Sequence, residues 1–117
     1  MTKAAQVKLP IIASLDGIEG CWQNGKIDTW CFYADGKGEY IQYSVNNQPG
    51  TLTTSFDYTV DMSAKTIQSR QTFIKLEGSC CDKAETVDGK LESASFDVVD
   101  DRLILGSREY TYVGDKP

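Results

Sequence analysis

Short stretches of alternating apolar and polar residues, each closed by Gly, Asn or Asp, run along most of the chain. They cover residues 20–23, 28–33, 39–45, 51–60, 66–76, 91–99, 102–105 and 108–113, and are rich in Val, Ile, Thr, Tyr and Phe. That composition suits pleated, half-buried backbone. Turn chemistry separates them: Asn24-Gly25, Asp35-Gly36-Lys37-Gly38, the run 46–50, the run 61–65, Glu77-Gly78-Ser79, Asp100-Asp101 and Gly106-Ser107. Hairpin-length connections imply an antiparallel meander. Eight sequential strands in so small a unit must close or stack, because open edges invite aggregation. The pattern therefore predicts an all-β fold, an eight-stranded antiparallel up-and-down barrel, with a two-sheet sandwich as the alternative. Only the first fifteen or so residues and the stretch 82–88 leave room for a helical turn. The expected organisation is an N-terminal extension or short helix at 1–14 followed by one barrel domain at 15–117.

Register sharpens the expectation. If residues 24–28 form a five-residue loop, Trp22 faces Trp30 and Cys21 faces Cys31; a two-residue Asn-Gly turn would oppose Trp22 to Ile27 and Cys21 to Asp28. The longer loop is preferred because it gathers two large aromatics on one face. A two-residue turn at Asp100-Asp101 sets Val98 opposite Leu103 and Phe96 opposite Leu105, and the next at Gly106-Ser107 sets Leu103 opposite Tyr110. Carrying that parity along turns Arg108, Tyr110 and Tyr112 inward, together with Phe56, Tyr58, Ile67, Ser69, Gln71 and Phe73. For residues 39–45 two parities stay open: Ile41, Tyr43 and Val45 inside, or Tyr40, Gln42 and Ser44.

The inner face so predicted mixes Trp30, Phe32, Phe56, Phe73 and Phe96 with Tyr58, Gln71, Arg108 and Tyr110. A packed structural core would avoid Arg and Gln, whose unpaired burial is costly. Apolar walls with a few convergent polar groups describe a ligand pocket, and an eight-stranded barrel can hold one small ligand. The alternative places those polar groups near the barrel mouths, in contact with water or each other.

Composition removes whole classes of chemistry. The chain has 117 residues, 12 Lys and Arg against 17 Asp and Glu, a net charge of −5 and no histidine. His-based triads, His-ligated zinc and His-held haem are therefore excluded. Without a basic cluster a nucleic-acid footprint is not expected, and no apolar run approaches the roughly 18 residues of a membrane span. Asp35-Gly36-Lys37-Gly38 and Asp100-Asp101 lack the ligand spacing of a calcium loop, so no metal and no cofactor are expected. Four cysteines, Cys21, Cys31 and the vicinal Cys80-Cys81, form no C-x-x-C. Ordinary thiols are expected, with a cross-strand Cys21–Cys31 bond as the exception. The apolar stretch 9–13 is shorter than a signal-peptide core and broken by Pro10, so a cytoplasmic location is expected.

Gly20-Cys21-Trp22 at the head of the first strand resembles the G-x-W signature of the lipocalin and calycin barrels. The segments 32–38, 56–61 and 96–105 resemble the hairpin pattern of small bacterial lipocalin-like domains, and the resemblance spans roughly residues 15–113. It implies a lipocalin-like barrel in which Trp22 plugs one end and packs under an Arg, for which Arg108 or Arg102 is available. Arg108-Glu109-Tyr110 is similar to the Arg-x-Tyr with which fatty-acid-binding barrels hold a carboxylate. A guanidinium and a phenol at alternate inward positions bracket one anion.

Three readings of function follow. The first is binding of a small, mostly hydrophobic molecule, with or without a carboxylate, by Trp30, Phe32, Phe56, Tyr58, Gln71, Phe73, Phe96, Arg108 and Tyr110. The second is a cofactor-free cyclase or isomerase on the same barrel, acting on an apolar biosynthetic intermediate. For it no acid and base stand at a defined separation, and the catalytic residues stay unassigned. The third is a small acidic inhibitor or immunity protein that docks on a basic protein partner.

Overall fold

The structure, a computed structural model, describes residues 17–43, 50–78 and 82–115. The expected extension at 1–14, Ser44 and Val45, and Cys80-Cys81 lie outside the described residues. The described chain is all β: Gly20–Asn24 (β1), Asp28–Phe32 (β2), Lys37–Tyr43 (β3), Thr51–Asp61 (β4), Thr66–Glu77 (β5), Lys83–Thr86 (β6), Glu92–Val99 (β7), Arg102–Leu105 (β8) and Arg108–Gly114 (β9). Neighbours in sequence pair antiparallel from β1 through β5, β5 pairs β7, and β7, β8 and β9 follow in turn. β9 then pairs β1 and closes the ring, giving the expected eight-stranded up-and-down barrel.

Where residues 82–88 left room for a helical turn, the chain instead forms β6, paired with the far half of β5 from Phe73↔Thr86 to Leu76↔Lys83. Backbone bonds from Val87 N to Thr72 O (2.9 Å) and Gly89 N to Gln71 O (3.1 Å) bridge to the β5–β7 pairing at Ser69↔Glu92. Residues 83–95 thus follow β5 as one interrupted strand. The reason is that β5, 12 residues long, presents more ladder than β7 alone can satisfy, and unpaired backbone groups are costly.

The hairpin registers agree with the alternation. Trp22 pairs Trp30 and Cys21 pairs Cys31; Val98 pairs Leu103 and Phe96 pairs Leu105; Leu103 pairs Tyr110. Asp100 takes φ 57°, as a two-residue turn matched to strand twist requires. On β3 the open parity resolves with Tyr40 opposite Trp30 and Gln42 opposite Asp28, on the inner face. The core gathers Ile18, Trp22, Phe32, Phe56, Ile67, Phe96, Leu103 and Tyr110. Gly38 leaves room for the Phe56 ring, since a Cβ there would stand 2.4 Å from it.

Two expectations need correction. The β4–β5 register shifts so that Phe56 faces Gln71 while Ser55 faces Phe73. Thr72 is the extra residue, and a bulge of this kind reverses the parity beyond it. Phe73 therefore leaves the inner face and is 36% exposed; Gln71, although opposite Phe56, is exposed as well. The second concerns the thiols: Cys21 and Cys31 are joined in a disulfide across the β1–β2 hairpin, on the face opposite Trp22 and Trp30. No helix among the described residues is long and apolar enough to cross a membrane.

Candidate functional site

Trp30 stands where two features of the barrel interior meet. The first is a cavity of about 140 Å³ that opens to solvent past the exposed Glu92, Ser93 and Ala94. Trp30, Phe32 and Phe56 wall it on one side, and Ile67, Leu105 and Ala94 on the other, with Ser69, Ser93 and Glu92 adding polar atoms. The aromatic wall is stiff. Trp30 stacks on Tyr40 with centroids 4.1 Å apart and meets Phe56 edge-on at 5.6 Å, while Phe32 meets Phe56 and Tyr58 edge-on at 5.9 and 5.2 Å. Such offset and edge contacts suit the ring quadrupoles and hold the wall in one arrangement.

The second feature is polar and centres on Asp28, which shares the inward face of β2 with Trp30 and Phe32 and is 1% exposed. Its Oδ2 accepts hydrogen bonds from the hydroxyls of Tyr40 and Tyr110 (2.9 Å for the latter) and from Arg108 Nη1 at 3.3 Å. The same guanidinium contact is an ion pair whose arginine side chain is 57% exposed. Burying a carboxylate demands such compensation. Asp28 Oδ1, however, has no partner among the described residues; the buried Nε1–H of Trp30 makes no well-formed bond among them and lies against the Tyr110 hydroxyl.

The electrostatics follow the geometry. The Tyr40 hydroxyl is pushed well above the ordinary phenol range, first by burial and then by its bond to Asp28. Tyr110 is also raised, chiefly by burial; the Trp30 indole N–H pointing at its hydroxyl pulls against the shift and the bond to Asp28 adds to it. Arg108 is raised by the Tyr110 hydroxyl and by Asp28. Both phenols are therefore neutral donors at physiological pH.

The residues named from sequence divide into three groups. Trp30, Phe32 and Phe56 line the cavity. Phe96 and Tyr58 belong to the packed core or lie against it, Tyr58 donating to Tyr33 O at 2.7 Å. Tyr110 and Arg108 come together, but on Asp28, while Gln71 and Phe73 stand exposed. The Trp22 plug departs from the resemblance. Trp22 is fully buried, donates from Nε1 to Ile18 O at 2.9 Å and packs edge-on against Tyr112 at 5.1 Å. No Arg covers it: Arg102 pairs Glu109 and Arg108 pairs Asp28.

Asp28 and Tyr40 were missed. Asp28 heads the segment 28–33 two residues before Trp30 and so shares its face, but it also closes the preceding loop and was not followed inward; Tyr40 belonged to one of the two open parities. Comparison with known protein families, with curated proteins and with solved structures gives no match for this chain.

Proposed function

We propose that the barrel binds a small, flat, mostly apolar molecule in the cavity against Trp30, Phe32 and Phe56. The observation that carries this is the cavity itself, about 140 Å³ with a rigid aromatic wall. An apolar cavity of roughly 150 Å³ accepts a benzene-sized guest, whereas drug-sized ligands need about 300 Å³ or more. The occupant is thus a single ring, alone or as the buried part of a larger molecule. A carboxylate clamp at Arg108 loses its support, because that guanidinium already neutralises Asp28.

The G-x-W segment and the closed meander support reading the barrel as calycin-like. The Cys21–Cys31 disulfide favours an oxidising compartment over the cytoplasm, where such bonds are rare. Toluene titrated against tryptophan fluorescence tests the binding reading. Saturable quenching is expected in the native chain and its loss in Ala94→Phe, which fills the cavity from β7. Equal, non-saturable quenching in both would refute it.

A further inference from the structure

We infer that the molecule seated in this cavity is an organic cation. Its ring lies against Trp30, Phe32 and Phe56, and its protonated nitrogen meets the Glu92 carboxylate at the mouth. An arylalkylamine has this chemistry. The inference rests on the cavity reading above and adds to it the polar end of the ligand and its charge.

Strand parity and the cavity wall carry it. Along β7 the ladder sets Glu92 opposite Ser69, Ala94 opposite Ile67 and Phe96 opposite Leu105. Phe96 and Ile67 are buried in the core, so the two-residue period turns Ala94 and Glu92 to the same inner face. Glu92, Ala94, Ser69 and Ile67 accordingly all line the cavity. A carboxylate aimed into a barrel is costly unless solvent or a cation reaches it. At Glu92 the mouth admits solvent. The ion pairs among the described residues all use other carboxylates, so that of Glu92 is unpaired. A ring seated against the aromatic wall therefore has an unpaired carboxylate at the one end of its cavity that opens outward.

The lining also selects the sign of the ligand. It contains one carboxylate and no Lys or Arg, and Arg108, the cation that reaches toward the interior, is engaged on Asp28. Aromatic faces carry negative potential and attract cations, so the wall and Glu92 favour the same charge. Ser69, opposite Glu92, adds a hydroxyl oxygen that accepts an ammonium N–H. The net charge of −5 draws cations to the chain as a whole. An aryl carboxylate would confront Glu92, and an uncharged ring would leave it unpaired.

The test compares four one-ring probes, toluene, 2-phenylethylamine, 2-phenylethanol and 3-phenylpropionate, on the full chain by calorimetric titration at neutral pH and low salt. The amine is expected to bind about two- to fivefold tighter than the alcohol and about tenfold tighter than the carboxylate, the range for one exposed ion pair and its like-charge counterpart. The amine's lead over the alcohol should shrink at about 0.5 M salt, where exposed charges are screened. Glu92→Gln keeps the size of the side chain at an exposed position, so it should retain toluene and lose the amine preference. The probe comparison and its salt dependence use the native chain and stand even if the variant fails to fold. Equal binding of amine and alcohol, tighter binding of the carboxylate, or an amine preference that survives salt or Glu92→Gln would overturn the inference while leaving the cavity reading intact. Failure of toluene and every other probe to bind would instead remove the cavity reading, and this inference with it.

Discussion

Trp22 and Trp30 face each other across one hairpin, yet the fold uses them in opposite ways. Trp22 is fully buried, its N–H is satisfied by the Ile18 carbonyl, and Tyr112 closes over its ring. Every group it brings inside is matched, as a structural core residue requires. Trp30 is half-buried, its ring forms one wall of a cavity, and its N–H lies against the Tyr110 hydroxyl without a well-formed bond. Beside it Asp28 has one oxygen fully engaged and the other without a partner among the described residues. Identical side chains in the same register thus separate into one that closes the barrel and one that leaves it unfinished. The difference lies in what each residue's neighbours satisfy, and it locates the site more securely than the residue types do.

The largest expected effect separates the two by truncation. Trp22→Ala should lower stability by about 3–5 kcal/mol as a large core deletion, whereas Trp30→Ala should lose only about 1–3 kcal/mol because its ring is half-buried. Equal losses in denaturant unfolding would erase the contrast. A smaller effect isolates the N–H groups. Trp22→Phe should cost about 1–3 kcal/mol from the lost bond and the stranded Ile18 carbonyl, while Trp30→Phe should show no hydrogen-bond loss in the free protein. A larger penalty at Trp30 than at Trp22 would mean that the indole there is already satisfied.

The smallest effect concerns alkaline pH. Tyr40 and Tyr110 are raised on the Asp28 side, Tyr58 is raised by burial, and Tyr33 is pushed up to about 12, mainly by burial and its bond to Glu39. A phenol whose folded pKa exceeds its unfolded value near 10 holds its proton more tightly in the native state. Its contribution is therefore complete below about pH 10 and lost as pH rises through the folded pKa. Tyrosinate absorbance should lag the ordinary phenol titration and then appear together with unfolding, with no tyrosine-linked change in stability between pH 6 and about 9. Full tyrosinate absorbance near pH 10 in a folded chain would contradict the buried phenol network.

Hairpin registers were legible in the chain because they depend on local facts. Trp22 against Trp30 and Phe96 against Leu105 follow from turn residues and a two-residue period, and a slip of one would expose a whole apolar face. Phe73 was not legible, because the bulge that turns it outward is a property of the β4–β5 pair and leaves no composition mark of its own. Arg108 and Tyr110 were both read as inward; Tyr110 is buried, whereas Arg108 stays exposed and reaches in only to Asp28, a common partner 80 and 82 residues away that was not legible.

Alternation and turn chemistry thus specified the all-β class, the eight-strand meander and most of the inward residues, since each depends on contacts within a hairpin. Closure of β9 on β1 decided the rest. It sets β9 against β1, places Arg108 and Tyr110 on Asp28, and leaves Asp28 Oδ1 without a partner among the described residues. Which buried groups find partners depends on distances between strands far apart in sequence, and no local pattern encodes those distances.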